Sequence, residues 1–277
     1  MRDVSIGNAG LVLLALLAFG SFAAEPASAQ QDMASLVRQS GFIFAGRIEK
    51  VGSATVGLSA TPDTAVVRIV RVIDAQPPVD EIGGHAVTVR LRDAGHAKPG
   101  QEMVFFTYLY GGGMSLGLTE VAELPDEGSV DRSVHEARSA IADAKLRARI
   151  DSATIVAVAK VLRTARVPAP SPRDEHEPMW WTATLEVASV LKGDAAKGAT
   201  ITVRFPSNYD AYWGAAPKPE PGETAIFLMQ PARVIPTTPE EAGERGERRE
   251  LTGLFLVDRL DEVGVNEFER VRRLLIK

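Results

Sequence analysis

The sequence contains no cysteine at all. That excludes disulfides, thiolate nucleophiles, Cys-ligated zinc and iron–sulfur clusters in one step. Long hydrophobic runs are nearly absent too. The one candidate, Ala9 to Phe19, is too short to span a bilayer. Aromatic residues make up 6% of the chain, and all three Trp lie in its second half. Neither charge sign dominates. Lys and Arg number 31 against 36 Asp and Glu, a balance that argues against broad phosphate-backbone binding.

The short apolar run has a setting of its own. Arg2 precedes it, Gly20 and Pro26 follow, and Ala27-Ser28-Ala29 supplies a small-x-small sequence. This is the pattern of a secretory signal peptide, residues 1–29, cleaved after Ala29. No Cys follows the run to be acylated, and no later stretch approaches a membrane span. The expected product is an extracytoplasmic chain, periplasmic or secreted, running from Gln30 to Lys277. That length suits two small domains.

The mature chain repeats itself. Ser40-Gly41-Phe42-Ile43-Phe44-Ala45-Gly46-Arg47-Ile48 recurs as Ala153 to Val161. Val66–Asp74 is matched by Thr184–Lys192, Gly84–Arg90 by Gly198–Arg204, Pro99–Phe106 by Pro221–Leu228, and Ser115–Leu118 by Leu251–Leu254. Five segments in one order make two copies of one module. Each segment reads as a strand. Val87, Val89 and Leu91 alternate with Thr88 and Arg90, as Ile201, Val203 and Phe205 do with Thr202 and Arg204. In the second strand the polar residues Arg68 and Arg71 are three apart, and Glu186 and Ser189 repeat the slip. An odd spacing at equivalent positions predicts a β-bulge, which coils a strand enough to close a barrel.

Helices are expected around the copies: a short one near Asp32–Gln39, one opened by a Ser133/Glu136 capping box and running to about Ala148, and one opened by Asn266 with Glu269. In the middle helix, Val134, Ile141 and Ala144 share a face. At the C-terminus, Phe268, Val271 and Leu275 do. The fold class is therefore all-β with flanking helices, two tandem five-stranded barrels, 30–148 and 149–277, with the junction near Arg147–Asp151.

Val190-Leu191-Lys192-Gly193-Asp194 and Pro221-Gly222-Glu223 resemble the bacterial relatives of the tissue-inhibitor-of-metalloproteinases (TIMP) and netrin-type modules; Val72-Ile73-Asp74 and Pro99-Gly100-Gln101 match more loosely. The resemblance implies OB-fold barrels. It does not transfer inhibition, because the animal inhibitors ligate the protease metal through an N-terminal Cys that this chain lacks.

Few residues suggest chemistry. Gly113-Met114-Ser115-Leu116-Gly117 fits the G-x-S-x-G nucleophile elbow, but that elbow needs a helix after the Ser, whereas Leu118–Leu124 reads as a strand. The available partners, Asp126 or Asp131 with His135, lie too close downstream for that fold. His85, His96, His135 and His176 show no metal-ligand spacing. Asp174-Glu175-His176-Glu177 lies between prolines and reads as a solvated loop, as does Glu240–Glu250, and Gly111-Gly112-Gly113 lies between two strands rather than before a helix. No catalytic, cofactor or metal residue is assigned.

The aromatics are the better lead. Trp181 falls in the inward phase with Ala183, Leu185 and Val187, so Trp180 faces outward beside a Pro-rich loop. Tyr209, Tyr212 and Trp213 lie between the third and fourth strands, where they form either a barrel plug or a ligand platform. The second copy, Thr154 to Leu260, is longer than the first, Phe42 to Leu124, and the excess lies in loops at 163–179, 208–219 and 231–250. In OB-folds the one–two and four–five loops flank the ligand face. The expected function is a non-catalytic binding or scaffolding protein that meets a protein or envelope component, not nucleic acid, through Trp180, Tyr209, Tyr212 and Trp213. The alternatives are a secreted serine hydrolase using Ser115 and an inhibitor of an extracytoplasmic enzyme acting through a Cys-free surface.

Overall fold

A computed structural model describes residues 26–76, 81–111, 115–168, 178–207, 213–232 and 253–276. It contains two compact units, dividing between Val134 and His135. That division and the expected 148/149 boundary both fall within one helix, α2 (Val130–Ser152).

The first unit opens with α1 (Pro26–Gln39), so the expected cleavage after Ala29 would leave its C-terminal part in place. Five strands follow: β1 (Phe42–Val51), β2 (Thr64–Asp74), β3 (Ala86–Arg90), β4 (Glu102–Gly111) and β5 (Gly117–Pro125). They close in the order β1-β2-β3-β5-β4, with β3 and β5 parallel and the other pairs antiparallel. Parallel pairing arises because the chain crosses over β4 between its third and fifth strands. The phase slip in β2 is a bulge at Val70, unpaired between Ile69↔Gly46 and Arg71↔Ala45. Phe42, Phe44 and Phe105 stack through the barrel with centroids 4.9 and 5.3 Å apart.

The second unit repeats this with β6 (Ile155–Arg166), β7 (Trp180–Lys192), β8 (Thr200–Pro206), β9 (Thr224–Pro231) and β10 (Leu254–Phe255). β10 pairs parallel to β8 and antiparallel to β9, which closes the barrel. The bulge recurs at Ala188, between Val187↔Ala159 and Ser189↔Val158. All three register shifts along β1 reappear at the equivalent positions of β6. Packing differs where side-chain volume does. Phe44 and Gly46 of the first copy become Ala157 and Ala159, both buried, in the second. A Cβ on Gly46 would lie 2.8 Å from the Phe44 ring, so the large ring requires the glycine.

The two copies differ most in the fifth strand. Where β5 is continuous, its counterpart breaks into β10 and β11 (Glu262–Gly264), separated by a 3₁₀ turn at Arg259–Asp261. The turn is built by Asp258, whose side chain accepts from the Leu260 N–H, and by Asp261, which accepts from the Val257 and Asp258 N–H groups. Asp261 is wholly buried and also holds Arg149 of α2 through both carboxylate oxygens. Gln230 donates to the same carboxylate at 3.1 Å, so the buried charge is paired and hydrogen-bonded as burial demands.

The helices correct the sequence reading at their ends. α2 starts at Val130 instead of Ser133, whose hydroxyl bonds the Ser129 carbonyl from inside the helix. Val130 and Val134 are buried, and Arg71 grips Asp131 together with Asp126, so packing and an ion pair fix the first turn rather than a capping box. Ala144 is exposed; Leu146 and Ile150 supply the buried face, packed with Val156, Ile226 and Leu228 of the second barrel. At the C-terminus a 3₁₀ turn at Val265–Glu267 takes the place of the expected Asn266 cap, and α3 (Phe268–Leu275) follows. Its stripe of Phe268, Val271 and Leu275 does face the barrel, with Leu274.

Candidate functional site

Trp180 is the first residue of β7, paired with Pro206 at the last residue of β8. Its carbonyl accepts the Val167 N–H, and the neighbouring Met179 carbonyl accepts the Ser207 N–H, both at 2.9 Å. Two of the three long connections of this copy therefore leave the barrel at Trp180. The third departs after Ala232, which packs in the same aromatic cluster, and returns just before Phe255. Trp180 is half-buried. Its ring meets the edge of Phe255 at 5.4 Å and lies 6.1 Å from Trp213 at a tilt of 58°.

The three rings do different work. Trp213 (2% exposed) and Phe255 (0%) are buried together with Val257, in a cluster apart from the barrel core, which takes Leu254 and Leu256 from the alternate phase of the same segment. Trp180 lies over both with part of its surface open, an aromatic side chain held in place by a rigid base. Trp181 packs partly buried against the barrel core, in the inward phase expected of it. Lys218 holds the backbone beside this cluster: its ammonium donates to the Trp213 carbonyl at 3.3 Å, and burial lowers its pKa. Tyr209 and Tyr212 lie outside the described residues, as do Asp174–Glu177 and Glu240–Glu250.

Sequence reasoning missed a second feature, in the first barrel. Arg92, Asp93 and His96 from the β3–β4 connection and Glu120 and Glu123 from β5 line a cavity of about 390 Å³. The register explains the gathering. Glu120 is two residues past the core residue Leu118, Val121 is bulged out, and Glu123 then faces the core residue Phe105. Both carboxyls therefore point to the barrel interior near its end. Glu120 accepts the Arg92 N–H at 3.1 Å, and burial raises its pKa. Burial also raises that of Glu123, helped by the Glu120 charge. Among the described residues no group of three or more His, Asp or Glu side chains is arranged to hold a metal ion. The sequence shows only two Glu three apart on a strand, and the bulge that brings both to one side is set by the pairing with β4.

The hydrolase residues do not assemble. The Ser115 hydroxyl donates to the Val56 carbonyl, Asp126 and Asp131 are both bonded to Arg71, and His135 is an exposed residue of α2. The segment after Ser115 is β5, with no helix to form an elbow. No helix of the described residues is long and apolar enough to cross a membrane. Compared with known proteins, the chain matches no family model and no curated sequence.

Proposed function

We propose that the chain is an exported, non-catalytic binding or scaffolding protein that docks a protein or envelope component on the Trp180 end of its second barrel. The observation that carries this reading is the meeting of the ends of three extended connections at one half-exposed Trp whose base, Trp213 and Phe255, is buried against the outer face of the barrel. Aromatic side chains seated on a packed base are frequent anchors of docking sites, and connecting segments carry much of binding function. The reading of export rests on the signal-like residues 1–29. The affinity with TIMP and netrin-type modules rests on the turn and strand motifs together with the five-stranded mixed barrels they form.

The test is capture from the native extract by the chain beginning at Gln30. Trp180→Ala, and a version with 231–250 shortened to a tight Gly-containing turn, should each lose captured species while keeping their circular dichroism. Undiminished capture by both would place the docking site elsewhere.

A further inference from the structure

The fifth strand carries a glutamate at the same place in both copies. Glu123 pairs with Phe105 and Glu262 with Phe227, and those two phenylalanines are equivalent core residues. The turn opposite is also repeated: Lys98-Pro99-Gly100-Gln101 in the first copy, Glu220-Pro221-Gly222-Glu223 in the second. In each, the fourth side chain accepts the first residue's N–H, at 3.2 Å for Gln101 and 3.1 Å for Glu223. The copies thus use one device with one difference, an amide in the first and a carboxyl in the second.

That difference has a consequence for Glu262. Its Oε2 is buried with no hydrogen-bond partner, and the carboxyl it faces is that of Glu223. Two carboxylates have no proton to share, so one of the pair must be protonated before they can hydrogen-bond. Glu223 Oε2 already accepts the Glu220 N–H.

We propose that Glu223 and Glu262 form a proton-operated latch that holds β11, and α3 behind it, on the second barrel. β11 is a short strand at the end of the sheet, joined to β9 by Glu262↔Phe227, Val263↔Ile226 and Gly264↔Ala225. Loss of the shared proton sets two like charges against each other in partly apolar surroundings, and β11 is the short element free to yield. The charge that acts on Glu262 is that of Glu223, and Arg259, three residues earlier, is exposed. Lys160, beside Thr224 on the neighbouring strand, is exposed, and Arg149 is committed to Asp261. Of the remaining charges close in sequence, Asp258 caps the 3₁₀ turn. Burial and Glu223 together push the Glu262 carboxyl up to about 7. A raised carboxyl favours the latched form at low pH, and that advantage drains away as pH rises from about 4.5 through about 7.

Amide exchange of residues 256–276, followed by mass spectrometry in the chain beginning at Gln30 and corrected for intrinsic exchange rates, reads the latch. The wild type should lose protection there by roughly tenfold between pH 5 and pH 8. Glu223→Gln installs the first copy's residue, which can accept the Glu220 N–H and donate to a Glu262 carboxylate, and should flatten that dependence. Glu262→Gln should flatten it as well, which keeps the test open if either variant folds poorly. Protection in the wild type that does not change between pH 5 and 8 would overturn the proposal, as would a Glu223→Gln or Glu262→Gln protein that keeps the wild-type dependence.

Discussion

Thr88 and Thr202 occupy the same position of equivalent strands and face outward by strict alternation, yet only one should matter. Thr202 is exposed. Thr88 is 0% exposed, because the connection after β1 folds back over it. Its hydroxyl lies 2.8 Å from the Thr55 N–H and 2.8 Å from the Thr55 hydroxyl. Thr88→Val keeps the shape and removes the oxygen, stranding a covered backbone donor at a cost of about 1–3 kcal/mol. At about 4 °C per kcal/mol for a domain of this size, the first unit should melt roughly 4–12 °C lower. Thr202→Val should stay within about 0.5 kcal/mol. The assay can be assigned to a unit, because Trp180, Trp181 and Trp213 all belong to the second. Thr88→Val should lower a transition seen by far-ultraviolet circular dichroism and leave the Trp emission transition in place. Equal effects of the two substitutions, or a loss seen in Trp emission alone, would refute the reasoning.

Asp261→Ala should lower the Trp-detected transition by about 3–5 kcal/mol, since it leaves Arg149 and two backbone N–H groups without their acceptor; thermal melts measure it. Gly193→Ala should destabilise the second unit far more than Gly198→Ala, although both glycines have positive φ. A Cβ at 193 would collide with the Thr154 carbonyl oxygen and at 198 would meet nothing, so urea midpoints of the two variants should separate clearly. Val89→Asp and Val203→Asp, each at a position with 0% exposure, should each unfold its own barrel, with only the second change abolishing the native Trp emission.

Much of the fold was legible because the chain writes it twice. Alternation at Val87–Leu91 and Ile201–Phe205 fixed inward phases, and the odd spacing of Arg68 and Arg71 marked a bulge that the pairing places at Val70. What escaped depends on tertiary contacts. Thr88 looks like a surface residue until the loop bearing Thr55 covers it. The first turn of α2 is set by Arg71 and buried Val130, which no capping rule anticipates. The split of the fifth strand into β10 and β11 follows from Asp258 and Asp261, two acidic residues that look ordinary until one is found buried against Arg149. For the candidate site, the outward phase of Trp180 was readable from its strand. The buried base under it was not, because Phe255 approaches from a strand far along the chain. The acidic cavity of the first barrel was missed because the bulge at Val121 is what turns Glu123 inward.

The docking reading is tested most directly by photo-crosslinking from single positions. A photoreactive amino acid at position 180, at 202 on the exposed face of β8, or at 108, where Tyr108 is 47% exposed on the first barrel, is irradiated in the native extract. A discrete crosslinked species is expected from position 180 and none from 202 or 108. Crosslinking from 108 or 202 with none from 180 would contradict docking at the Trp180 end.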